Sequence, residues 1–303
     1  MAHDEDTEED KSEEDTTALI LDVAKLGKKR QTQVKRAPTA NAASKVETQS
    51  GSELLQTNIR IAKHPHEQRK SLNAIVNSHN VPGFIPALKL YINSHLPKEE
   101  QATKKEAIAN GCLPFTLLDV WHHFKFTPVN LFDDDSDVPK EIVKAIPSGT
   151  NLRTSQSGPR YDTVIVLVND EAESTAVIGC RVARLRVIFQ LPEKVKRLGQ
   201  GFGILEEPAP SNWPRTPLAY ITWFSHFKSG PDSKNGMCHV KPSALNGIPQ
   251  GGIISLSDIR QSCMLVPSSN EWSRSWISDN ILDECPSFFV NNFQSKYTYQ
   301  TIY

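Results

Sequence analysis

RVARLRVIFQL, Arg181 to Leu191, is the stretch whose reading decides the fold. Ala183, Leu185, Val187, Phe189 and Leu191 take alternate positions, with Arg184, Arg186 and Gln190 between them. That period of two predicts a half-buried strand, apolar inward and cationic outward. Wound into a helix, the same apolar residues would be scattered round the cylinder. Three further strand-like runs surround it: VIVLV (Val164–Val168), LAYITWFSHF (Leu218–Phe227) and GGIISLSDI (Gly251–Ile259). Together they predict a small β-barrel or sandwich whose central strand turns its arginines toward a partner.

A chain of 303 residues fits one or two domains and has ample length for a core. The net charge of -1 hides an asymmetry. Nine acids stand in the first 15 residues against Lys11 alone, a balance of -8, which leaves +7 for the rest. An acidic tail on a mildly basic body is compatible with nucleic-acid binding. The 5 cysteines are odd in number, far apart and without a CxxC, which argues against a disulfide framework or a zinc ribbon. Neither an apolar signal core nor a run approaching the ~18 apolar residues of a membrane span occurs. A soluble, intracellular chain with no membrane partner is the expectation.

Residues 1–50 read as a disordered acidic and basic tail. Its clusters Lys28, Lys29, Arg30 and Lys35, Arg36 resemble a nuclear localisation signal that a flexible segment can present. Residues 51–159 read as a small helical subdomain plus a linker. Ser71 caps a helix bearing Leu72, Ile75 and Val76; Phe84, Leu88, Tyr91, Ile92 and His95 mark a second, with Pro86 in its first turn. Pro97 opens a third helix that Gly111 closes. Phe115–Phe126 is expected to be extended. Residues 160–303 read as the β-barrel-like domain, interrupted by a Gly/Pro-rich insertion, Leu198–Pro217. An irregular, aromatic segment, Ser268–Tyr303, docks across it. The fold class is therefore α+β.

Catalytic patterns are weak. Asp162 and Asp170 bracket VIVLV, but a two-metal site needs three or four convergent acids. The run Asp133–Asp137 lacks the glycine and glutamate of a calcium loop. His64, His66, His122, His123 and His239 show no HExxH, and on one strand His122 and His123 would face opposite ways. GxSxG is absent, and GQGFG (Gly199–Gly203) has no P-loop lysine. No enzyme, metal or cofactor is expected. The stronger pattern is basic and aromatic. Arg181, Arg184, Arg186, Lys194, Lys196 and Arg197 stand against Glu193 alone, and Trp223 or Phe224 faces outward on a neighbouring run. Cations beside an aromatic platform can hold a nucleic-acid backbone and stack a base.

Seven segments in order carry a resemblance: HPHEQRKSLNAIVNSHNVPGFIPALKLYI (His64–Ile92), LPFTLLDVWHHFKF (Leu113–Phe126), RYDTVIVLVND (Arg160–Asp170), GCRVARLRVIFQLPEK (Gly179–Lys194), LAYITWFSHF (Leu218–Phe227), GIISLSDIRQSCMLVP (Gly252–Pro267) and NILDECPSFFVNNFQSKYTYQTIY (Asn280–Tyr303). Residues 55–303 thereby resemble the C-terminal region of fungal transposases of the Plavaka type, relatives of the CACTA elements. LDECxxFFVNxF…YxTIY is the most specific part; Asn292 stands where the family has proline. The resemblance implies a mobile-element origin without the family's zinc-finger-like region and ribonuclease-H-like core, whose acids have no matching positions here. Strand spacing suggests a barrel like those of bromo-adjacent-homology or SH3 domains. The expectation is a non-catalytic accessory module binding DNA or a chromatin protein in the nucleus. The alternatives are a transposase fragment with no selected role, or the C-terminal part of an enzyme whose core is encoded upstream.

Overall fold

Arg181–Leu191 does form the central strand, but neither of its faces meets water. The computed structural model describes residues 58–127, 140–149, 158–169, 177–198, 204–227, 230–268 and 273–302. The tail with its basic clusters, Asp133–Asp137, Asp170 and Gly199–Gly203 lie outside the described residues. In chain order the first strands are β1 (Asn58–Ile61), β2 (Glu67–Ser71), β3 (Leu117–Trp121), β4 (His123–Thr127), β5 (Glu141–Ile146) and β6 (Arg160–Tyr161). Next come β7 (Thr163–Leu167), β8 (Cys180–Gln190), β9 (Lys194–Leu198), β10 (Ile204–Pro208), β11 (Leu218–His226) and β12 (Cys238–Val240). The last are β13 (Ala244–Leu245), β14 (Ile248–Pro249), β15 (Gly251–Ser255), β16 (Ile259–Pro267) and β17 (Phe288–Asn291). Helices are α1 (Leu72–His79), α2 (Phe84–Ser94), α3 (Lys104–Asn110), α4 (Ile281–Glu284) and α5 (Lys296–Thr301).

Nine strands make the main sheet, in the order β12-β17-β16-β7-β8-β11-β15, with β2 and β3 joined to β8. At 11 residues β8 is long enough to pair with β11 on one side and with β7 and then β3 on the other. Every pairing is antiparallel. Among the described residues the sheet stays open between β12 and β15, so the barrel alternative gives way to an open, mixed α+β arrangement of mostly antiparallel sheets. A second sheet, β1-β4-β5-β6, and the ribbons β9–β10 and β13–β14 complete it.

One face of the main sheet is covered by α1 and α2. Ser71 Oγ accepts from the Ala74 amide at 3.2 Å and caps α1, while Asn80 ends it in the left-handed conformation. Leu72, Ile75, Phe84, Leu88 and Ile92 then meet Val187, Phe189, Leu191 and Tyr220. Phe84 packs edge-to-face on Phe189 and Tyr220, with centroids 5.4 and 5.5 Å away. The C-terminal segment builds a second cluster farther along the same strands: Cys285, Phe288, Val290 and Ile302 join Ile165, Cys180, Val182 and Phe224. That segment is more regular than expected, because β17 lies between β16 and β12. Its aromatics divide: Phe288 is buried, whereas Phe293 and Tyr299 remain exposed.

Several boundaries differ from the expectation. Helix α3 starts at Lys104, where Thr103 and Glu106 form a reciprocal capping box; Pro97 leads only a short 3-10 turn. Residues 58–71, expected to be helical, supply β1 and β2. The Gly/Pro-rich insertion contains β10, and its Trp213 packs on Phe115 with centroids 5.8 Å apart. A boundary near 159 does not divide the core: β3 pairs with β8, and Lys45–Tyr303 form one unit. No helix among the described residues is long and apolar enough to cross a membrane.

Tyr220 is wedged between two glycines. A β-carbon at Gly83 would lie 2.6 Å from its hydroxyl, and one at Gly251 would lie 2.6 Å from the Ile221 carbonyl oxygen, with the Tyr220 hydroxyl closer still. Neither neighbour is a free side-chain end, so Gly251→Ala should lower unfolding free energy by about 1–3 kcal/mol through overpacking. Urea denaturation of the variant checks this, and an unchanged midpoint would contradict the packing described.

Candidate functional site

The cations singled out in the sequence separate into two groups. Arg181, Arg184 and Arg186 are 5%, 5% and 8% exposed, and Trp223 is buried as well. The expected arginine-bearing outer face is therefore corrected: β8 is an interior strand with both faces covered. Lys194 and Lys196 leave the main sheet on β9 and are exposed, Lys194 facing Glu206 at 3.9 Å. Arg197 belongs to β9, and its side chain lies outside the described residues. Lys28, Lys29, Arg30, Lys35 and Arg36 lie outside them too.

A register shift explains how arginines fit inside. Tyr220 pairs with Val187 and Ile221 with Leu185, so Arg186 is the extra residue of a β-bulge. The bulge frees its carbonyl oxygen, which accepts from His79 Nδ1 at 2.8 Å. In return Arg186 Nη2 donates to the His79 and Asn80 carbonyls at 2.7 and 3.2 Å, satisfying the end of α1. Its guanidinium lies over Tyr161, 4.3 Å from the ring centroid, with that of Arg184 at 5.5 Å. Asp283 Oδ1 of α4 accepts from Arg184 Nη1 at 2.6 Å and lies 3.9 Å from Arg186 Nη1. Arg184 Nε and Arg186 Nε are buried and have no partner among the described residues. Burial, with the Arg184 charge next in weight, pulls the Arg186 pKa down.

Arg181 is separate. Its Nε donates to the Phe224 carbonyl at 2.6 Å, and its guanidinium stands 4.9 Å from the Trp223 ring centroid. Burial brings its pKa down to about 10. The expected aromatic platform thus serves an internal cation. Arg260, buried on β16, donates to the Thr301 carbonyl at 3.0 Å and to Cys180 Sγ at 3.4 Å.

The histidines correct a second expectation. The strand breaks at His122, between β3 and β4, so His122 and His123 do not face apart. Both rings meet His66, at 4.9 and 4.7 Å between centroids. His122 Nε2 pairs with Glu67 Oε1 at 2.9 Å. Among the described residues no group of three or more His, Cys, Asp or Glu is placed to hold a metal ion. Asp162 is engaged by the backbone, its Oδ2 accepting from the Lys144 amide and its carbonyl from the Leu185 amide, both at 2.9 Å.

A family model described as a domain of unknown function, DUF6830, matches residues 30–240, more than two thirds of the chain. The chain belongs to the DUF6830 family. No curated protein and no solved structure matches it. Within the DUF6830 match lie His79, Tyr161, β8 and Trp223; Asp283 lies beyond it. Reasoning from sequence missed His79, Tyr161 and Asp283. The first has a local signal, since His79-Asn80 follows the apolar face of α1 where a helix must end.

Two outcomes follow from this geometry. His79 must be neutral: Nδ1–H is used on the Arg186 carbonyl, and Nε2 is buried without a partner. Burial accordingly lowers its pKa to about 4. The folded state binds this proton less readily than the unfolded state, so stability falls as pH drops from about 6.5 toward 4, by on the order of 3 kcal/mol. His79→Asn should flatten that slope in denaturation curves taken across the window; an unaltered slope would assign it elsewhere. Arg186→Ala removes the side-chain donor of the Asn80 carbonyl and one of two donors of the His79 carbonyl, and should cost about 3 kcal/mol in a denaturant melt, far beyond the ~0.5 kcal/mol of a surface site.

Proposed function

We propose that this chain is a non-catalytic, transposon-derived accessory module that works in the nucleus by binding a chromatin protein rather than bare DNA. The observation that carries this reading is the burial of Arg181, Arg184 and Arg186. From Asn58 to Tyr303 there are 26 cations and 23 anions, a surplus of three. Four of those cations, Arg181, Arg184, Arg186 and Arg260, are buried, so the excess does not reach the surface. The groove beside β9 is balanced too: Arg69, Lys194 and Lys196 line it with Asp119, Glu193 and Glu206. Phosphate backbones are gripped by surplus surface cations, and this body has none to offer.

The mobile-element origin rests on the resemblance, whose seven segments each coincide with elements of the fold: β2 with α1 and α2, β3 with β4, β6 with β7, then β8, β11, β15 with β16, and finally α4, β17 and α5. Helices α1 and α2 packed over one face of the main sheet support a layered, sandwich-like reading of the domain. Nuclear action rests on Lys28, Lys29, Arg30, Lys35 and Arg36.

Fluorescence anisotropy of the full chain with a mixed-sequence duplex, at several salt concentrations, tests the reading. Any binding should vanish when those five tail cations are changed to alanine and persist in Lys194→Glu with Lys196→Glu. Tenfold weaker binding in the β9 variant, with a salt slope reduced by about two phosphate contacts, returns the surface to DNA.

A further inference from the structure

Arg184, Arg186 and Tyr161 form a cationic cradle whose charge is not balanced. Both arginine side chains are nine-tenths buried, and the Nε of each has no hydrogen-bond partner among the described residues. The neutral neighbours are already used: Tyr161 Oη donates to the His79 carbonyl at 3.3 Å, and that carbonyl also takes Arg186. Among the described residues the only carboxylate within 4.0 Å of either guanidinium is that of Asp283. It reaches Arg184 with one oxygen and Arg186 only at 3.9 Å. Two buried cations against one anion leave a positive charge in a low-dielectric setting, where such a charge is costly.

Asp283 is a counter-ion of an unusual kind. Its side chain is 58% exposed although its partners are buried. It stands on α4, only four residues long and without a side-chain cap at Asn280. It also lies outside the family match that contains both arginines. A buried pair of guanidiniums with an exposed, singly charged carboxylate at its mouth has the form of an anion receptor closed by an internal stand-in.

We propose that Arg184 and Arg186, held over the Tyr161 ring, form a binding site for a phosphate dianion, free or as a monoester, and that the Asp283 carboxylate occupies that site in its absence. A dianion matches the two guanidiniums in charge, and its several oxygens can accept from both at once, which one Asp283 oxygen does not do at hydrogen-bonding distance. Binding moves Asp283 out to water, where its exposure already places half of it. No bond is made or broken. The inference is independent of the partner-binding reading above, since it concerns a small anion inside the fold.

Thermal unfolding of the full chain in phosphate against chloride at equal ionic strength is the test, repeated with O-phosphoserine and with acetate. Phosphate should raise the midpoint of the parent. Asp283→Asn, an exposed change, should lower the midpoint in chloride, recover it in phosphate, and bind about tenfold more tightly, because no charge-assisted hydrogen bond has to be broken first. Glu99→Gln, exposed and remote in sequence, should behave as the parent. Arg184→Gln should abolish the increment; if it does not fold, the Asp283→Asn titration alone decides. A response to phosphoserine equal to that of phosphate assigns a monoester as an acceptable source, and a response to phosphate alone assigns the free ion. An Asp283→Asn protein that phosphate does not rescue, a rescue equalled in Glu99→Gln, or one equalled by acetate overturns the proposal.

Discussion

Covering β8 on both sides is the constraint from which the rest of the structure follows. Once α1, α2 and the C-terminal segment have closed over the sheet, three guanidinium groups are enclosed with a strand that cannot turn them out. Each enclosed charge has then to be met by something other than water. The fold answers with backbone carbonyls at the end of α1 and on β11, with the ring faces of Tyr161 and Trp223, and with one carboxylate from α4. Elements far apart in the chain are held in mutual register by these polar demands as much as by apolar packing. A hydrophobic contact tolerates a small slide, whereas a carbonyl must lie where the N–H points.

The bulge at Arg186 is where the two kinds of demand meet. One residue inserted against β11 releases a carbonyl for His79 and redirects the Arg186 side chain to the end of the same helix. The helix terminus and the strand irregularity satisfy each other's unpaired groups. A regular ladder at this point would leave the His79 imidazole without its carbonyl and the end of α1 without the Arg186 donors.

Much of this was legible in the sequence. The period-two run located β8, the three strand-like runs located β7, β11 and β15, and the Ser71 cap, with apolar spacing, located α1 and α2. What periodicity cannot show is what lies on the polar side of a strand. Arg184 and Arg186 at alternate positions carry the same pattern whether they face water or an internal tyrosine and aspartate. The partners that decide between those outcomes stand at Tyr161 and Asp283, tens of residues away, and an unaligned sequence does not pair them. His122 and His123 failed for a local reason: the alternation rule assumes a continuous strand, and the chain bends between them to pass from one sheet to another. The short β10 was hidden because glycine and proline nearby gave a loop-like composition.

The place of β17 between β12 and β16 has a consequence for how the chain is made. Strand β7 ends at Leu167, yet its neighbour β16 comes roughly a hundred residues later, a delay on the order of 5–20 s at ribosomal speed. Until β16, α4 and β17 arrive, the edge of β7 is unpaired and the face bearing Val182 and Phe224 is bare. The nascent protein thus holds an open, apolar sheet edge while about a third of the chain is made, the kind of surface that recruits chaperones or other chains. Completion depends on the last few dozen residues closing over a sheet that has been waiting for them.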